Sequence, residues 1–281
     1  MEIFYAPDLQ NIPLLILTSR CVTIYKDLRK RKNAMFGGFN KNTTEFLKGI
    51  RDNNNKEWFE AHKDEYIKDV YEPLCELATV MGEQFSDIPD VVHKASRIYQ
   101  DASFPPYQHY RDTMWVYILH NAMMWNQTPM VYLELSADGI VCGFKISKPQ
   151  SYVMENFRKE LLSNKEFFID ILNGLKEKYD IKIAGEEYKR KKPCDDEELT
   201  EFISKKNLFI YFTIPVGKEM YSKKLGERLK SAATDFFDLA EYFMPFLIKE
   251  LPVETEMPEE KVQKLKTDSS PIADKYGGFM W

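Results

Sequence analysis

Apolar residues recur at two different periods along this chain, and the change of period separates helical from extended stretches. Trp58, Phe59, His62, Tyr66, Val70 or Ile67, and Leu74 are spaced by three or four residues, which turns one side of a helix inward. Asn53, Asn54 and Asn55 precede that stripe with side chains able to accept from a first helical turn, and Glu57 adds favourable negative charge there. A long helix is therefore predicted from the asparagines to Gly82, before a turn at Asp87 to Pro89. A shorter helix capped by Thr43 or Thr44 and running to Ile50 precedes it. From Ser96 to Leu119 the pattern changes to short β-prone runs. Met130 to Ser136 and Ile140 to Ser147, joined by a turn at Ala137 to Gly139, give the clearest hairpin signal in the chain.

Pro149 then opens a helix carried by Tyr152 or Val153, Phe157 and Leu161, and Phe168, Ile171, Leu172 and Leu175 mark the next. Ile181 to Ile183 and Leu208 to Ile214 read as strands. The second reads as a buried central strand because its apolar run is uninterrupted from Leu208 to Phe212. Leu225, Leu229, Ala232, Phe236, Leu239, Phe243 and Phe246 define a long C-terminal helix, with Pro252 beyond its end. Strands clustered between helical groups predict an α+β fold: a mainly antiparallel sheet with helices packed on one face, the long C-terminal helix among them. The other sheet face is then free to form a cleft.

With 281 residues, 44% of them hydrophobic and 14% aromatic, the chain has material for one large core. Residues 36–249 are expected to form a single globular domain, flanked by an N-terminal extension at 1–35 and a flexible C-terminal tail at 250–281. The apolar run Ile12 to Leu17 is too short to span a membrane, and its basic cluster, Lys26 and Arg29 to Lys32, follows rather than precedes it, unlike a secretory signal. The residues before Met35 are expected to be either a misassigned upstream start or a dispensable extension. No transmembrane segment is predicted. A net charge of -5 and a pI near 5.6 argue against broad attraction to nucleic-acid phosphates. Cys21, Cys75, Cys142 and Cys194 have no paired spacing, which points to reduced thiols in a cytoplasmic protein and to no zinc site. The glycines form neither a dinucleotide fingerprint nor a P-loop, the histidines show no HExxH spacing, and no serine stands in GxSxG. No cofactor and no metal are expected.

Alternation suggests where chemistry sits. In an extended RIYQD segment, Arg97, Tyr99 and Asp101 share one side, while on the hairpin Tyr132 groups with Glu134, and Lys145 with Gly143 and Ser147. If these stripes meet, they form a floor holding Arg97, Asp101, Glu134 and Lys145, with Tyr110 and Arg111 arriving from the adjoining loop. Two arginine forks and several tyrosines suit a carboxylate or phosphate on a small molecule. The plainer reading is an arginine and an aspartate satisfying each other across a half-exposed sheet. A hydrolytic enzyme would use Asp101 or Glu134 as its acid or base. A third class is an interaction module built on the aromatic stretch Pro105 to Trp115. Tyr107, Tyr110, Trp115 and Trp125 could stack on sugar rings or bases, or simply pack. The run Lys189 to Lys192 is a solvated loop or a rim that draws an anion in. The sequence fixes neither a reaction nor an oligomeric state.

Several stretches also resemble a known family. Asn54, Asn55, Trp58 and Phe59 resemble the opening Asn-Asn-x-x-Trp-Phe signature of domain of unknown function family 2461. Arg97 to Asp101 followed by Phe104, Tyr132 to Gly139, Gly143 to Pro149, Tyr188 to Pro193 and Lys205 to Phe212 resemble its later segments in the same order. The similarity runs from about Phe36 to Leu247. The chain departs from the pattern at Gln100, where an arginine is usual, at Glu134, where a histidine is common, and in the lysine-free loop PPYQHYRD. The resemblance implies an architecture and a candidate face, and no reaction.

Overall fold

Asn40 starts the first helix. Its side chain accepts from the Thr43 amide at 3.2 Å, and the Thr43 hydroxyl accepts from the Asn40 amide in return. Thr43 is thus the third residue of α1 (Lys41–Asp52) and the reciprocal partner of the cap, so the helix begins about one turn earlier than the sequence suggested. The computed structural model describes residues 36–100, 103, 107–121, 124–190, 194 and 196–249. The expected extension at 1–35 and tail at 250–281 lie outside these residues, as do Asp101 and Lys191 to Pro193. Described residues up to Leu247 belong to one compact unit, while Ile248 and Lys249 belong to a second.

Asn55 caps α2 (Lys56–Ala61), accepting from the Trp58 amide at 2.9 Å. The expected long helix continues with a break. After His62 come a single turn, Lys63–Glu65, and a π-helical segment, Tyr66–Tyr71, before α3 (Glu72–Gly82). Each π turn takes in one residue more than an α turn. Phe59, Tyr66, Val70, Leu74, Leu77 and Met81 nevertheless all reach the core. Gly49 of α1 sets how closely α2 can approach, because a Cβ there would lie 2.5 Å from the Trp58 ring.

Six strands follow, β1 (Val91–Ala95), β2 (Met114–His120), β3 (Met130–Ser136), β4 (Gly139–Ile146), β5 (Lys182–Ala184) and β6 (Leu208–Pro215). They form one sheet in the order β1-β2-β3-β4-β6-β5, with every neighbouring pair antiparallel. The predicted hairpin is β3 and β4. Gly139 opens β4 with φ 135°, and a Cβ there would meet the Ile214 carbonyl at 2.4 Å, so both conformation and the approach of β6 require glycine. Arg97 to Gln100 do not form a full strand: they carry an isolated bridge between Tyr99 and Tyr110.

The helices α4 (Ser151–Ser163), α5 (Glu166–Lys178), α6 (Glu197–Ile203) and α7 (Leu225–Phe243) complete the unit. Long α7 packs against β3, β4, α3 and α5, burying the stripe from Leu225 to Phe243 that the sequence predicts, and Phe246 joins it from the 3-10 turn Met244–Leu247. Val116, Ile118, Leu133, Leu135, Cys142, Phe144, Ile210 and Phe212 meet these helices from the sheet. This is the α+β arrangement with helices on one face. β6 is not buried on both sides as its apolar run suggested: Phe209 and Tyr211 are half-buried and point away from the helices, because β6 pairs with the short edge strand β5. Among the described residues, no helix is long and apolar enough to cross a membrane.

Candidate functional site

Strand alternation sends every second side chain of this sheet to the face the helices leave uncovered. Strand register then lines those side chains up in rows. Trp115, Glu134, Val141 and Thr213 form one row, Tyr117, Tyr132, Gly143 and Tyr211 the next, and Leu119, Met130, Lys145 and Phe209 the third. Leu119, Met130 and Tyr132 form a small apolar cluster of their own, with Tyr117, Val141 and Tyr211 packed against it. The aromatic rings continue as a ladder. Trp115 stacks on Tyr117 at 5.2 Å between centroids and on Trp125 at 6.1 Å with only 10° between their planes. Trp125, from the β2–β3 connection, keeps half of its surface exposed.

Two cations stand on this face, in different electrostatic situations. Lys145 Nζ donates to Glu134 at 2.9 Å and lies 4.2 Å from the centre of the Tyr132 ring. Its charge is already answered on both sides. Burial, and next the Glu134 charge, hold the Tyr132 hydroxyl well above the usual tyrosine range, so the ring presents a neutral O–H. The Arg111 guanidinium lies 6.0 Å from the centre of the Trp115 ring and pairs with no carboxylate among the described residues. Burial pushes its pKa down, the mark of a charge losing water without gaining a counter-ion.

The residues singled out from sequence fall into two groups. Glu134, Lys145 and Arg111 come together on the open face, with Trp115 beside them. Arg97, Tyr99 and Tyr110 lie along the ribbon that continues β1 and precedes β2. There Ser96 and Ile98 are buried while Arg97 and Tyr99 are exposed, as local alternation predicts, but Ala95 and Ile98, three residues apart, both pack with the main core, so the pattern turns over between β1 and this ribbon. Arg97 is exposed, and its charge acts on the Cys75 thiol of α3 rather than on the hairpin. Tyr110 stacks on Phe59 at 4.4 Å, and Tyr99 meets the same ring edge-on at 5.6 Å. Asp101 lies outside the described residues. Among the described residues, no group of three or more metal-ligating side chains is placed to hold an ion.

The Asn-Asn-x-x-Trp-Phe residues prove to be architectural. The Asn54 amide donates to the Tyr110 carbonyl at 2.8 Å and accepts from the Tyr110 amide at 3.2 Å, pairing with that backbone as another strand would. Asn55 caps, Trp58 packs on Phe46 and His62, and Phe59 carries the two tyrosines. Together they fix the segment that delivers Arg111 to the sheet.

Tyr117 and Tyr211, central to the ladder, were not recognised as site residues from sequence. The signal was present in MWVYILH, where Trp115, Tyr117 and Leu119 alternate with Val116 and Ile118. No curated protein and no solved structure matches the chain. The sequence profile of the conserved hypothetical protein family DUF2461 matches residues 42–242, a span that holds α1 to α6, all six strands and nearly all of α7, and the chain belongs to that family.

Proposed function

We propose that the open sheet face binds an anionic small molecule, with Arg111 as its anchor and the Trp125, Trp115 and Tyr117 rings as its platform. The observation that carries this reading is the half-buried Arg111 guanidinium beside an aromatic ring without a carboxylate partner among the described residues. A planar fork in that setting matches a carboxylate or phosphate held by two parallel hydrogen bonds, and the rings favour a ligand that also carries a flat or sugar-like body. Lys145 is committed to Glu134 and acts as a wall of the site. Binding is favoured over hydrolysis because Glu134 is the single carboxylate among the strand residues of this face, and it is tied to Lys145. The interaction-module reading for 105–115 is weaker, because Trp115 is spent in the ladder. We place the protein in the cytoplasm. That fits Cys75, Cys142 and Cys194, all free, with burial pushing the Cys75 and Cys142 thiols up to about 11 and 12.

Calorimetric titration with phenyl phosphate, inorganic phosphate and benzoate tests this, with Arg111→Gln alongside. Phenyl phosphate is expected to bind tightest, and Arg111→Gln to lose at least about tenfold, roughly one charge-assisted hydrogen bond. Equal affinity in Arg111→Gln, or no heat from any of the three anions, overturns the proposal.

A further inference from the structure

Helix α5 carries two apolar stripes, and the core uses one of them. Phe168, Leu172 and Leu175 are buried, whereas Phe167 and Ile171, four residues apart, line a separate concavity of about 720 Å³ with Tyr242 and Phe246. Phe167 is 58% exposed. Its ring lies 5.8 Å from that of Tyr242, which meets Phe246 edge-on at 5.2 Å, so three aromatic rings form one wall. The Tyr242 hydroxyl is buried without a hydrogen-bond partner, a group whose desolvation nothing offsets.

The charged residues lining the concavity are Glu160, Asp238 and Glu241, all of one sign. Glu241 meets His120 Nε2 at 2.5 Å, and Glu160 accepts a long bond from Asn164 at 3.4 Å. Asp238 is the least compensated. Burial first, then the neighbouring Asp235 and Glu241 carboxylates, raise its pKa, with Lys178 opposing them. These carboxylates make the concavity negative, so they attract a cation, repel an anion and do neither to a neutral guest.

We propose that this concavity binds an amphiphilic organic cation, an ammonium on an alkyl or aryl body, with the body against Phe167, Tyr242 and Phe246 and the charge among Glu160, Asp238 and Glu241. Its volume lies within the roughly 300–1,000 Å³ of small-molecule sites. This site does not depend on the open sheet face.

The test is an NMR titration of the full chain with 2-phenylethylamine, 2-phenylethanol and 3-phenylpropionate, which share one body and differ in charge. The amine is expected to bind about tenfold or more tighter than the alcohol, and the carboxylate not at all. Asp238→Asn should weaken the amine about tenfold and leave the alcohol unchanged, whereas Phe167→Ser should weaken both. Phe167 is already more than half exposed, and a melting curve confirms that the variant folds. Three results overturn the proposal: equal binding of amine and alcohol, amine binding unaltered in both variants, or no perturbation by the amine at millimolar concentration. Binding of a lysine-rich apolar peptide without binding of the amine overturns it too, and assigns the surface to a protein partner instead.

Discussion

The two faces of the sheet are built from alternate residues of the same strands and have opposite characters. Toward the helices, Leu133, Leu135, Phe144, Ile210 and Phe212 are almost wholly buried, and none carries a polar atom that needs a partner. On the other side, one residue along each strand, stand Tyr132, Glu134, Lys145 and Tyr211, with Trp115 and Tyr117 from β2. A hydrophobic core explains the first face completely. It does not explain why half-exposed rings are stacked into a ladder on the second, or why Arg111 is held beside them without a carboxylate partner among the described residues. Packing fixes one face, and what remains on the other is available for recognition.

Core truncation on the helix side should give the largest effect. Phe144 is fully buried and packs on Phe243 at 5.1 Å between centroids. Phe144→Ala is expected to lose roughly 3–5 kcal/mol of unfolding free energy in a urea titration. Trp125→Ala on the open face should stay within about 0.5 kcal/mol of wild type while abolishing phenyl phosphate binding. Were Trp125→Ala to destabilise as strongly as Phe144→Ala, the open face would be a second core, and the contrast between the faces would disappear.

Asn54 tests the element that joins the two. Its side chain bonds both backbone groups of Tyr110, and its loss leaves the Tyr110 N–H unpaired and the carbonyl with only a long bond from the Gln100 side chain at 3.5 Å. Asn54→Ala is expected to cost about 1–3 kcal/mol. It should also weaken anion binding without altering any residue of the site, because Arg111 follows Tyr110 directly. Unchanged binding in a destabilised Asn54→Ala would show that the segment holds Arg111 by other means.

The fold was legible where one period ruled a long stretch. The β3–β4 hairpin, the stripe of α7 and the asparagine cap of α2 all stood in the residue pattern, since each depends on neighbours in sequence. Reading failed where distant contacts decide. Arg97 and Asp101 were assigned to a floor with Glu134 and Lys145 on the assumption that the stripe of Arg97 meets that of the hairpin. The alternation itself holds at Arg97 and Tyr99, but its phase changes before them: Ala95 and Ile98, three apart, both pack with the main core, with the Ile98 amide donating to the Tyr66 hydroxyl and the Ser96 hydroxyl accepting from the Trp115 amide. The π turn at Tyr66–Tyr71 left no local trace either. Glu134, Lys145 and Arg111 were grouped from sequence, but sequence alone could not reveal that Glu134 pairs with Lys145, while Arg111 pairs with no carboxylate among the described residues.

The thiols give a smaller, pH-dependent contrast. Burial pushes Cys142, on the helix side of the sheet, up to about 12, and Cys75, on α3, to about 11. A folded-state pKa above the unfolded one means that the native chain keeps a proton the unfolded chain releases. That contribution is fully present below the ordinary thiol value of 9.0 and is lost as pH rises through about 11 for Cys75. Denaturant unfolding between those limits should show stability falling with pH, and Cys75→Ala should make the fall shallower. An identical slope in the variant would mean that Cys75 is not buried as described.

The smallest effect bears most directly on the open face. Glu134 and Lys145 are 2.9 Å apart, with side-chain exposures of 38% and 14%. A pair this accessible is expected to couple by less than about 1 kcal/mol in a double-mutant cycle of Glu134→Gln and Lys145→Met. The informative part of the cycle is the anion affinity. Glu134→Gln frees Lys145 and removes the one carboxylate among the strand residues of that face, so phenyl phosphate should bind several-fold more tightly. Lys145→Met alone should weaken affinity by only a few-fold, because it leaves the Glu134 charge unanswered near the anion without removing an anchor. If Lys145→Met instead weakens binding as much as Arg111→Gln, the ion pair opens to receive the ligand, and the face works with two anchors rather than one.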